Sequence, residues 1–394
     1  MGSMLSFRRH MAFWFAVAGL ASAQTGSFEG QPAIVISSGK VSITVLEQGA
    51  TLASVTLPGD ASVPDPLWNP VRLARENGRS AQFGGAFGHF VCVDGFGQPS
   101  PTERAAGLPM HGEAHLLKFS VNQDNAAGAL EMKATLPIVQ EIFTRTFHVV
   151  PGENVIYVDS RLENLLGFDR SVNWAEHATV SAPFVEPGKT FIEISGSRSQ
   201  NRPYVASQQG RGNGPPRTQR RLVSGADFTW PLAPALDGGK VDMRTFPEEP
   251  HFLDHAATLM DPSRDVEFVV AFNKARHLVY GYLFRRADYP WLQHWGNFPA
   301  VAELVRGMEF GTQPYDVPRQ EAIGMGTMFG APTYRWLPAK GAIESHFLLF
   351  YSQTPQQMEK IDDVRIENGT IVIEDRAANK RLVLPAKRGL NGKR

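Results

Sequence analysis

Three short stretches carry residues whose types and spacing can move protons or hold a metal. "LPMHGEAH" (108–115) sets His111 and His115 around Glu113. "NWAEHATVSAPF" places His177 beside Glu176, and "VRGMEFGTQPYDVPR" places Glu309 after an apolar approach and before a glycine, with Arg306 on the way in. Imidazole titrates near neutrality and a carboxylate can be tuned toward it, so the two together can supply an acid and a base. On a helix His111 and His115 would share a face, as zinc-binding pairs do, but Pro109 and Gly112 oppose a helix. On a strand, positions 111, 113 and 115 also share a face and would offer three ligands, with His177, His251, Asp254 or His255 as distant further ligands. A local hydrogen-bonding role is the third reading of the pair.

The elements that must position these residues read as strands. "KVSITVLEQGATLASVTL" (40–57) alternates and turns at Gln48-Gly49, while "ENVIYVDSRLEN", "EFVVAFN" and "HLVYGYLFRR" are short β-branched and aromatic runs. In "VRIENGTIVIED", Asn368-Gly369 supplies the two positive-φ residues of a tight hairpin turn. Helical periodicity is almost absent, and 37 glycines with 28 prolines suit many short strands joined by turns. The class is mostly β, and the length favours one large sandwich or barrel.

Thirty-nine basic residues balance thirty-nine acidic ones, which leaves no general pull toward nucleic acid or an anionic membrane. Arg8 and Arg9, an apolar run from Met11 to Leu20 and Ala21-Ser22-Ala23 have the layout of a secretory signal peptide over 1–23. The expectation is therefore an exported protein, periplasmic or extracellular, folded as a single domain over 24–385. A polar, basic, glycine-rich segment at about 195–221 reads as a long surface loop, and 386–394 as a tail. Cys92, the only cysteine, permits no internal disulfide and sits in an apolar run as a small buried hydrophobe.

"FGGAFGHF…LPMHGEAH", the mid-chain histidine ahead of "PF" and the late glutamate resemble the aldose 1-epimerase (galactose mutarotase-like) superfamily, with some motif similarity to its hexose-phosphate mutarotase branch. The resemblance spans roughly residues 35 to 350. It implies a large antiparallel β-sandwich with a sugar cleft, and interconversion of α and β anomers of an aldose by acid–base ring opening, without cofactor or metal. By motif matching, Glu309 would be the general base, His177 the general acid, and His111 a third catalytic residue hydrogen-bonding the sugar. His115 stands where the related branch has arginine, which argues against a phosphorylated substrate, as export does. The early Asn-Arg pair of galactose mutarotases has no clear equivalent.

Supporting substrate contacts follow from the same reading. Aromatic faces stack on the C–H faces of sugars, so Trp295 and Trp291 in the irregular stretch "YPWLQHWGNFP" are platform candidates, with Trp295 favoured by the resemblance. Asp254 could hold a sugar hydroxyl pair, and Arg306 could bind substrate or lie on the opposite face of its strand. The partner is a monosaccharide or oligosaccharide. Alternatives are a non-catalytic carbohydrate-binding protein of the same fold and a glycan lyase or hydrolase. A hydrolase needs two carboxylates flanking the bond, and only Glu309 sits in a motif.

Overall fold

The computed structural model describes residues 22–80, 84–204 and 218–390. Two antiparallel sheets pack face to face. The larger has twelve strands and runs from Ser22–Phe28 at one edge to Asp227–Thr229 at the other. The smaller has eight, from Thr190–Ile194 to Ser120–Asp124. The mostly β expectation, a large antiparallel sandwich, is what the chain forms. No helix among the described residues is long and apolar enough to cross a membrane.

Alternation along the strands explains the layering, because successive side chains point to opposite faces. In the strand Trp174–Ser181, Trp174, Ala178 and Val180 enter the main core with Phe143, Phe147, Val158, Phe284 and Phe347 of the facing sheet. The intervening Ala175 packs instead on the outer side of the large sheet with Phe90, Cys92 and Phe96. The neighbouring strand His89–Val93 divides the same way, with Val91 and Val93 inward and Phe90 and Cys92 outward. The outer face of the large sheet is therefore the surface that can carry a site.

A third, three-stranded layer (Asp363–Glu367, Thr370–Asp375, Lys380–Pro385) covers the outer face of the eight-stranded sheet. Its first turn has Asn368 at φ 49° and Gly369 at φ 72°, the positive-φ pair that its hairpin needs.

Several expectations change. The tail expected from 386 is packed as far as residue 390, because Ala386 and Leu390 are buried against this third layer. The loop expected over 195–221 begins as the strand Gly196–Asn201, paired with Phe252–Met260; residues 205–217 of that loop lie outside the described residues. The segment 289–299, read as irregular, holds the regular strand Trp291–Phe298. Of the expected signal segment only Ser22 and Ala23 are described, as the start of the edge strand.

Candidate functional site

Five neighbouring strands present their outward residues to one place. His177 is the register partner of Phe90, Glu309 of Gln293, and Trp295 of His255. The resulting cluster is His177, Glu309, Gln293, Trp295, His255 and Phe90. Over it the chain folds two segments, one bringing His111 and His115 and the other bringing Asp316.

His177 Nε2 lies 3.3 Å from Glu309 Oε1, off the angle of a hydrogen bond, and Oε1 has no hydrogen-bond partner. The other carboxylate oxygen accepts from Gln293 Nε2 at 2.7 Å. His177 Nδ1 is 2.9 Å from Thr179 Oγ1, whose hydroxyl reaches the His177 carbonyl at 3.5 Å. With that hydroxyl donated to the carbonyl, Thr179 accepts Nδ1–H and leaves Nε2 as the reactive nitrogen. Phe90 stacks on the imidazole at 4.3 Å and 21°, and fixes its plane. Gly307 makes room for the carboxylate: a Cβ there would fall 2.2 Å from Glu309 Oε1.

The pair is poised electrically neutral. Burial drives the Glu309 carboxyl well above the usual range, with Gln293 only partly offsetting it. Burial, then the nearby His111, holds His177 well below its ordinary value. Both shifts favour uncharged groups, as desolvation requires. With both groups uncharged the proton rests on the carboxyl, and its passage to Nε2 would leave a carboxylate and an imidazolium without changing net charge.

His111 adopts φ 65°, a left-handed conformation that costs a branched or bulky residue energy and that the surrounding turn enforces. Its backbone N–H donates to Gly97 O at 2.9 Å, and Gly97 N–H donates back to His111 Nδ1 at 3.2 Å. Nδ1 is thus an acceptor, so the neutral ring carries its hydrogen on Nε2, the atom left for a ligand. Its ring centre is 5.3 Å from that of His177. His115 packs against Phe90 at 5.4 Å and lies 6.2 Å from His111, with a buried, unpartnered Nδ1. Burial lowers both rings to about 4. Trp295 stands 6.1 Å from His177 and is braced by Trp68 at 6.4 Å.

Other expected residues do not converge. Glu113 turns away and accepts from the backbone N–H groups of Ile138 and Val139 at 2.8 and 3.0 Å, so "HGEAH" does not form a three-ligand face. The reason is local: Ala114–Leu116 is a 3-10 turn and not a strand. Asp254 lies on the inner side of its strand, where Arg221 grips it at 2.6 Å. Arg306 also points inward, with Nη1 donating to Met243 O at 3.0 Å between Phe246 and Phe298. Neither can touch a ligand that meets Glu309. Trp291 shares the outward parity of Trp295 but is fully buried, its Nε1 donating to Pro332 O at 2.7 Å.

The structure adds residues the motifs did not single out. Gln293 orients Glu309, and Thr179 sets the His177 tautomer. Asp316 holds Arg202 at 2.6 Å and stands 3.6 Å from His255 Nε2, making it a second carboxylate at the edge of the site. His255, read only as a distant metal ligand, is held near 4 by burial despite Asp316. Period-two alternation from Trp295 would have found Gln293; His255 meets Trp295 only through the register of another strand, and nothing in the sequence ties it or Asp316 to the site.

No family model matches the chain, and no curated protein matches it. Solved structures do. A candidate aldose 1-epimerase from Klebsiella pneumoniae superposes with a TM-score of 0.58 at 16% identity, over 85% of this chain and 84% of that one. A galactose mutarotase-like protein from Clostridium acetobutylicum gives 0.56 at 10% identity, over 85% and 99%. A candidate mutarotase from Salmonella typhimurium gives 0.51 at 12%, over 85% and 94%. With an architecture of two large antiparallel sheets and matches that cover most of both chains, this chain has the galactose mutarotase-like fold.

Proposed function

We propose that the protein is an exported aldose 1-epimerase that interconverts the α and β anomers of a sugar. The observation that carries this is the 3.3 Å approach of His177 Nε2 to the unpartnered Glu309 Oε1. Once their proton sits on His177, Glu309 removes the C1 hydroxyl proton while His177 protonates the ring oxygen, and the C1–O bond opens to the free aldehyde. Rotation about C1–C2 and the reverse transfers close the other anomer and return both protons. His111 Nε2–H donates to the sugar oxygen between them, and Trp295 offers a face for its C–H surface. Acid and base groups of this kind each contribute about 10²–10⁴-fold. The basic, apolar and small-residue order of 8–23 supports export.

Sugar binding without turnover is the second reading, favoured by narrow access: His177 is 7% and Glu309 2% exposed. Polarimetry on freshly dissolved α-D-glucose and α-D-galactose separates the two. Acceleration by wild type that disappears in His177→Ala is the expected result. Binding of either sugar with no acceleration would replace the enzyme with the binding protein.

A further inference from the structure

Away from the catalytic pair, behind the short helices Pro101–Ala105 and Arg319–Met325, lies a cavity of about 480 Å³. Its rim carries two of the most exposed large apolar side chains, Phe168 and Trp336, each 61% exposed. Such exposure is unusual for a tryptophan and marks a surface that meets something. Trp336 is not loose. It belongs to the short strand Arg335–Leu337, with Ser171 as its register partner, and Tyr334 abuts its ring edge-on at 5.6 Å. The platform is held open while its face stays in water.

The floor is polar and equally fixed. Asp94, fully buried, receives Arg170 and also Arg319 at 2.7 Å. Arg170 further approaches the buried Glu141, at 3.4 Å, whose two oxygens have no hydrogen-bond partner. Both guanidinium groups line the cavity with Gln140 and Ser171, each keeping N–H, amide or hydroxyl capacity for a ligand. A partner that is flat and apolar on one face and rich in hydroxyls on its edges fits this combination, and a volume near 480 Å³ is in the range of small-molecule sites. A protein partner would use the two rings but leave that floor unsatisfied.

We propose that this cavity is a second carbohydrate-binding surface, taking a neutral hexose unit of an oligosaccharide stacked on Trp336 and hydrogen-bonded to Arg170 and Arg319. The inference stands without the catalytic reading, because none of these residues lies in the Glu309 site. It adds that the natural ligand is a glycan chain longer than the unit the catalytic cleft takes.

The test is titration calorimetry of the full chain with cellohexaose, maltohexaose, laminarihexaose and mannohexaose, on wild type, Trp336→Ala and Glu309→Gln, with oligomeric state followed by light scattering. At least one hexasaccharide should bind wild type, lose about tenfold in affinity in Trp336→Ala, and be unaffected in Glu309→Gln. Trp336→Ala should keep its anomerisation rate on monosaccharides, so failure here and failure of the catalytic reading are distinct. Three results overturn the proposal: no binding to any of the four, equal binding by Trp336→Ala, or a dimer that Trp336→Ala dissociates, which would make the surface a self-association face.

Discussion

Two buried glutamates sit side by side in the large sheet and face opposite ways. Glu176 points into the core between the sheets, and its register partner is Phe310, the residue after Glu309. Glu309 points out. Glu176 is saturated: Arg145 Nη2 donates to it at 2.5 Å, His89 Nε2 lies at 2.8 Å, and Trp174 Nε1 and Tyr289 OH donate at 3.1 Å each. Burial alone would raise its carboxyl, but Arg145 and then His89 outweigh it and bring it to about 2. Glu309 has burial without that compensation, one amide partner and one bare oxygen, and is raised. The same residue type in the same sheet is held as an anion where both oxygens have partners and favours the protonated form where one is left open. A network fully satisfied stabilises and specifies; an oxygen left unpaired is held at a cost that only a ligand or a reaction recovers.

The comparison can be broken most readily at Glu309. Glu309→Gln is expected to slow anomer exchange by about 10²–10⁴-fold without lowering unfolding free energy near neutral pH, because it removes a buried carboxyl that the fold holds protonated above its ordinary range, read by polarimetry and urea denaturation on the same preparation. A large stability loss would make Glu309 a second Glu176. Conversely, Glu176→Ala strands Arg145, which is 1% exposed, and is expected to cost about 3–5 kcal/mol in urea or thermal unfolding. Gly307→Ala pushes a Cβ onto Glu309 Oε1, where only 2.2 Å is open. It should lower the rate by about 10²-fold through misplacement of the base, with sugar binding kept.

Two smaller effects sharpen the contrast. Thr179→Val removes the partner of His177 Nδ1 and should cost about tenfold in rate, the worth of one hydrogen bond, with kcat falling more than KM rises. The pH dependence of stability should carry opposite signs for the two carboxyls. Glu309 keeps its proton in the folded protein above pH 4.5, where the unfolded chain has lost it. Its contribution therefore declines as pH rises above 4.5, by at most roughly 1.4 kcal/mol per pH unit, and Glu309→Gln should flatten that decline. Glu176 stabilises above 4.5 and loses that stabilisation as pH falls toward 2. Equal slopes in wild type and Glu309→Gln would remove the basis for calling Glu309 protonated at rest.

The sequence made the sandwich legible, since alternation, turns and the Asn368-Gly369 hairpin are local signals. His111, His177 and Glu309 were legible because each sits in a motif with its own spacing, and the structure brings them to one face. Asp254 and Arg306 were read into the site and lie behind it. In each case the error is one position of parity, because Asp254 adjoins the outward His255 and Arg306 adjoins the outward Gly307, and a one-residue shift reverses the face. Asp316 and Arg202 were not legible, because their meeting depends on a loop after one strand reaching the end of another 114 positions away. Trp336 went unremarked because an isolated aromatic in a short strand carries no periodic signal; only its exposure gives it meaning.

The central claim is that Glu309 and His177 share one proton and use it to open and close a sugar ring. Magnetisation-transfer NMR at anomeric equilibrium tests it most directly, since exchange between the α and β H1 signals is read without net reaction. Wild type should produce exchange cross-peaks with D-glucose or D-galactose that vanish in both Glu309→Gln and His177→Ala. Cross-peaks that persist in either variant, or none in wild type while a sugar is shown to bind, would contradict the account.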